Sequence, residues 1–243
     1  MSGVIGAVSN KFILITATLI LPVTINGHTA HGAIDPALKD TVVSPRFAAR
    51  LHLGNEAAPL KGTVAKLRRP LTIGIGAENF DIDTVEIGRD QCCADRDFVI
   101  GRDILAAHVF EIDFVHRTIR LVLPFEYRRA TQHLQSIALM QGPDGSRMLP
   151  IQVGDSPAVE AVLDLADPGA LKVDRATLSA THSLSAGEPR PVRSGDATIG
   201  NLELGLADGK QRLAPAAIGM GAFAGSRIIL DLPHDQLWVA RKS

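Results

Sequence analysis

Asp35 and Asp164 are the residues of this chain best placed to do chemistry. Each closes an apolar run, "AHGAID" at 30–35 and "VEAVLD" at 159–164. Taken alone, "AIDPALKDTVVS" (Ala33 to Ser44) leaves two readings of Asp35 open. It is a catalytic carboxylate at the end of a buried strand, or the acidic residue of an Asp-Pro turn. A second copy of the pattern is what separates them. Other chemistry-bearing residues fall into no constellation. "GIGAEN" (74–79) has a Gly-x-Gly but neither a third glycine nor a following helix, so it is not read as a dinucleotide loop. His28 and His31 would point to opposite faces of one strand, which argues against a metal pair. Cys92 and Cys93 are adjacent, without the Cys-x-x-Cys spacing of a zinc site and without a disulfide framework. No Gly-x-Ser-x-Gly nucleophile elbow occurs. We expect no cofactor and no metal.

The chain repeats itself. "FVIGRDILAAHVFEIDFVHRTIRLV" in the first half matches "AAIGMGAFAGSRIILDLPHDQLWVA" in the second. Gly101 stands twelve residues before Asp113, and Gly219 twelve before Asp231. Asp113 and Asp231 are read as strand-end residues whose symmetry comes from the fold. Upstream, "PVTINGHTAHGAIDPALKDTVV" parallels "PIQVGDSPAVEAVLDLADPGALKV", which sets Asp35 against Asp164. The Asp-to-Gly intervals are 66 and 55 residues, so the first half carries the longer excursion.

Strands must position these residues. The chain is 46% hydrophobic and only 4% aromatic over 243 residues, so its core has to be built from Val, Ile, Leu and Ala. Strands are expected at Leu19–Ile25 and Thr29–Asp35, turned by Asn26-Gly27, whose residues tolerate positive φ. Further strands are expected at Leu71–Ile75, Phe80–Ile87, Phe110–Asp113 and Thr118–Leu123. Ser44, Pro45 and Gly54 suit the cap, first residue and end of a short helix, and "GRDILAAHV" reads as another. "GPDG" (142–145) makes a tight turn. The polar "FEYRRATQHLQ" (125–135) separates an N-terminal lobe, 1–130, from a C-terminal lobe, 131–243. The apolar run after Lys11 is read as strand in preference to a signal or anchor within 1–22. It is too short to span a bilayer. The compartment, cytoplasmic or periplasmic and secreted, is left open. A net charge of −1 gives no footprint for nucleic acid and no polybasic membrane patch. "KLRRP" (66–70) reads as a solvated loop.

From Leu19 to Val239 this layout resembles the pepsin and retropepsin family of aspartic peptidases. "LPVTINGH", "VSPRFAARLHL", "VIGRDIL" and "AIGM" look most like bacterial retropepsin-like proteins, here in a single-chain form. The resemblance implies an all-β, two-lobed acid-protease-like fold of duplicated barrel lobes with short helices. It implies that Asp35 and Asp164 form a dyad sharing a proton, one acting as base on a water that attacks a peptide bond directly. Gly101 and Gly219 match the glycines packed behind each active-site loop. The stretch from about Gly62 to Gly88 would supply a flap. The implied partner is a peptide or protein in the cleft between lobes, and the implied form is a monomer.

The signature departs from the family. Its Asp-Thr-Gly is Asp35-Pro36-Ala37 in one lobe and Asp164-Leu165-Ala166 in the other. Neither Pro36 nor Leu165 carries the hydroxyl that joins the two loops. Ala37 and Ala166 add a Cβ, with a penalty if φ is positive there. Thr41 sits six residues after Asp35, where the family often has a Thr, and Ala170 is its counterpart. Three readings follow: a working endopeptidase with altered loop support, a catalytically impaired peptide-binding or assembly module on the same fold, and an unrelated β protein with two turn aspartates.

Overall fold

The computed structural model describes residues 10–11, 13–15, 18–53, 65–67, 71–75, 78–83, 85–87, 96–180, 187–207 and 214–240. Strands dominate, and the helices are single turns or little more. Among the described residues no helix is long and apolar enough to cross a membrane.

Strands Thr18–Ile25 and His28–Ile34 form the opening hairpin, with Ile25 opposite His28. Asn26 (φ 49°) and Gly27 (φ 79°) make its two-residue turn, both in the left-handed region that matches strand twist. The second strand alternates exposed and buried at first, then runs buried from Gly32 to Ile34. The reason is pairing on both edges, with Thr18–Ile25 antiparallel and Phe98–Ile100 parallel. Ser44 accepts from the Phe47 amide and Pro45 opens the helix Pro45–Arg50, which buries Phe47 and Ala48. Gly54, Cys92 and Cys93 lie outside the described residues.

The second half repeats the plan. Arg147–Val153 pairs with Val159–Asp164, which runs parallel to Ala216–Gly219. Leu171–Val173 lies antiparallel to Ala216–Gly219, as Val42–Val43 does to Phe98–Ile100 in the first half. The "GPDG" turn closes with Gly142 N–H bonded to Ser146 O at 2.8 Å, and Gly145 has φ 81°.

A six-stranded sheet joins the halves, in the order Asn10–Lys11, Thr118–Leu121, Val109–Asp113, Arg227–Asp231, Gln236–Ala240, Leu134–Ala138. At its centre Glu111 faces Ile229 and Val109 faces Asp231. Glu111 and Ile229 are separated by the same number of residues as Gly101 and Gly219, so each is the other's counterpart. The local two-fold axis therefore passes through that pair. One continuous apolar core runs through both halves, with Phe47, Phe98, Phe110 and Phe223 fully buried among branched aliphatics. At about 25 cal/mol per Å² of apolar area, this core is the main stabilising term.

Three expectations change. Phe80–Ile87 is two strands, Glu78–Ile82 and Val85–Ile87, with different partners. Asp83 stands in a bend between them, where a short acidic side chain competes with ladder bonding. Lys66 and Leu67, read as solvated loop, lie in strand Ala65–Leu67 against Val85–Ile87. "FEYRRATQHLQ" contains the helix Tyr127–Thr131, which buries Ala130 and Thr131. The stretch read as a flap contributes Leu71, Ile73, Phe80 and Ile82 to the core. Residues 76–77, between Leu71–Ile75 and Glu78–Ile82, lie outside the described residues.

Candidate active site

The two aspartates occupy equivalent places. Asp35 follows a strand in which Ile34 is level with Ile100, and its own N–H donates to Ile100 O at 2.9 Å. Asp164 ends a strand in which Leu163 is level with Ile218 and Asp164 with Gly219. Despite intervals of 66 and 55 residues, both lobes set the Asp beside the Gly in the same parallel register. Parallel pairing buries a strand on both edges, so each carboxylate emerges where the chain leaves the core.

After each Asp the chain turns back on the carboxylate. Asp35 Oδ1 accepts the Ala37 amide at 2.8 Å. Asp164 Oδ1 accepts the Ala166 amide at 3.1 Å and the Asp167 amide at 3.0 Å. Neither Ala37 nor Ala166 has positive φ, so the Cβ at these two positions is not strained. Pro36 and Leu165 are buried, and Leu165 belongs to the main core.

Burial first, then the charge of Asp164, hold the Asp35 carboxyl well above the ordinary carboxylate range. The Ala37 amide, Arg102 and Arg96 pull it the other way. Burial and then the Asp167 charge raise Asp164 as well, against the Asp167 and Ala166 amides and Lys172. Asp167 is itself ion-paired with Lys172 and bonded by the Gly169 amide.

Support behind the loops differs between lobes. Thr41 is fully buried. Its hydroxyl accepts the Gly101 amide at 3.1 Å and donates to Asp103 Oδ1 at 2.7 Å, while its N–H bonds Asp103 Oδ2 at 2.8 Å. In the second lobe Gly219 N–H bonds the Ala170 main-chain oxygen at 3.0 Å, so a carbonyl stands in for the missing hydroxyl. Both glycines touch loop backbone. A Cβ on Gly101 would stand 2.6 Å from the Asp40 carbonyl carbon, and one on Gly219 would overlap Gly169 O.

Arg102 is the residue that reading the sequence missed. It is 8% exposed. Nη1 donates to Pro36 O at 3.0 Å and Ala37 O at 2.7 Å, and Nη2 to Asp144 O at 3.0 Å. It thus fastens the Asp35 loop to the "GPDG" turn of the other half. The available signal was an arginine opening a helix directly after the motif glycine, where the second lobe has Met220.

Asp113 and Asp231 serve the fold. Asp113 Oδ1 accepts the amides of Val115 and His116. The fully buried Asp231 accepts the Tyr127 hydroxyl and bonds the His234 ring at 2.7 Å.

Two lobes of this construction, meeting across a shared sheet with short helices behind the Asp strands, constitute the pepsin-like acid-protease fold. The crystal structure of basic 7S globulin from soybean, a protein of that fold, matches 98% of this chain and 95% of its own at a TM-score of 0.59. Sequence identity is 9%, so this likeness concerns the fold alone. No family model and no curated protein matches the sequence.

Proposed function

We propose that this chain is an aspartic-type endopeptidase that hydrolyses extended peptides between its two lobes. The observation carrying this reading is the equivalent placement of Asp35 and Asp164, in one register, with the charge of one raising the other. Two nearby carboxyls cannot both ionise cheaply, so the pair keeps one proton and supplies a base and an acid together. Water attacks the peptide carbonyl with no covalent intermediate and no cofactor. Both acids belong to one chain, so a monomer suffices. The loops that lack hydroxyls at 36 and 165 are braced by other bonds: Arg102 donates to Pro36 O and Ala37 O, and the Gly219 amide behind the Asp164 loop bonds the Ala170 main-chain oxygen.

The absence of hydroxyls at 36 and 165 supports a second reading, a peptide-binding module that has lost turnover. Cleavage of a mixed peptide library from about pH 3 to 7, the range where shared-proton pairs work, decides between them. Wild type should cleave, and Asp35→Asn and Asp164→Asn should not. Binding without cleavage in wild type, unchanged in Asp35→Asn, would establish the second reading.

A further inference from the structure

The two loops are not equivalent toward their carboxylates. Asp164 Oδ1 accepts two backbone amides, from Ala166 and Asp167. Asp35 Oδ1 accepts one, from Ala37. The amide matching Asp167 is Leu38 N–H, which donates to the Asp35 main-chain oxygen at 3.2 Å; the Asp167 amide makes the equivalent bond to Asp164 O at 3.3 Å but is shared with Oδ1 at the shorter 3.0 Å. Asp35 is 7% exposed, whereas Asp164 is half-buried. A carboxylate is stabilised by each amide that points at it and destabilised by loss of water. Both differences favour charge on Asp164 and a neutral acid at Asp35.

Charged neighbours do not reverse this. Asp35 faces Asp164, Arg102 and Arg96, and the Arg102 Nη donors described above go to carbonyl oxygens, so Arg102 acts on Asp35 through its field. Asp164 faces Asp167 and Lys172, which are paired with each other and partly cancel.

Resting on the reading of these acids as a working pair, we infer that their proton is assigned before substrate arrives: Asp35 is the acid and Asp164 the base. The steps then balance. Asp164 takes a proton from water as the water oxygen bonds the scissile carbon. The carbonyl π pair moves to oxygen, which takes the Asp35 proton. On collapse the C–N bond breaks, nitrogen takes the proton now on Asp164, and the gem-diol returns one to Asp35. The free pair is restored.

The test is a carboxyl-carbon NMR titration of full-length protein carrying labelled aspartate. It is run on wild type and on Asp35→Asn and Asp164→Asn, with amide spectra confirming the fold. In Asp164→Asn, the remaining Asp35 should titrate at higher pH than the remaining Asp164 does in Asp35→Asn. In wild type the carboxyl losing its proton last should be Asp35. Asp164 titrating at or above Asp35 would overturn the assignment, and the wild-type experiment decides if a variant fails to fold. The readout needs no turnover. The expected order in an inactive protein sinks the peptidase reading alone, and the reverse order in an active one sinks the proton assignment alone.

Discussion

Replacing Arg102 by methionine transplants the residue of the second lobe into the first. The change keeps much of the unbranched stem and deletes the guanidinium. Three bonds go with it, to Pro36 O, Ala37 O and Asp144 O, all from a side chain only 8% exposed. Each buried hydrogen bond contributes about 1–1.5 kcal/mol net, so the loss is about 3–5 kcal/mol. For a chain of this size a kilocalorie moves Tm by about 2–4 °C, which gives a drop of roughly 6–20 °C. Arg102→Lys keeps the charge without the planar fork and should recover less than about half of the loss. Thermal unfolding followed by circular dichroism at neutral pH, wild type beside both variants, reads this directly. A methionine variant within about 1 kcal/mol of wild type would refute the claim that Arg102 fastens the Asp35 loop to the second half, because its three carbonyls would then have found partners unaided.

Other perturbations probe neighbouring parts of the site. Thr41→Val removes the acceptor of the Gly101 amide and a donor to Asp103, and should cost about 1–3 kcal/mol in urea unfolding; a neutral effect would mean the hydroxyl is not part of the loop's support. Gly219→Ala forces a Cβ onto the Gly169 oxygen and should cost about 3 kcal/mol or more, whereas Gly154→Ala, with open space but φ 56°, should cost less; the reverse ranking by denaturant midpoint would contradict the close packing. Asp35 has a folded pKa above its unfolded value, so the native state binds the extra proton, and the stability this contributes is present in acid and lost as pH rises through the folded pKa. Asp35→Asn should therefore raise Tm at neutral pH more than in acid, and equal changes at both would mean that Asp35 ionises freely.

What was legible in the sequence is what local chemistry decides. Asn26-Gly27 signalled a turn because both residues accept positive φ, and Ser44-Pro45 signalled a helix start because one supplies an acceptor and the other needs no donor. The fold followed from four features recurring in one order, a global regularity that composition alone does not carry. Arg102 was illegible because its partners lie 42 to 66 residues away, on backbone carbonyls that no side-chain motif reports. The break at Asp83 was hidden because 78–82 and 85–87 are both apolar enough for one strand, and only their different partners separate them. In the second lobe a main-chain oxygen does the work of a hydroxyl, and main-chain oxygens are the same at every residue.

The crossing of Val109–Asp113 and Arg227–Asp231 also bears on how the chain avoids its own copies. A strand that meets its counterpart about a two-fold axis is self-complementary in shape, so either half could in principle zip to the same half of another molecule. On the axis, though, stand a glutamate and an isoleucine. Two first halves would set Glu111 against Glu111, a like-charge contact in a sheet. Paired with Ile229 instead, Glu111 is held by both Nη2 and Nε of Arg120 and lies 3.7 Å from Arg227 of the second half. The charge pattern at one pair of residues thus favours the unlike partner, and the covalent link supplies that partner at high effective concentration.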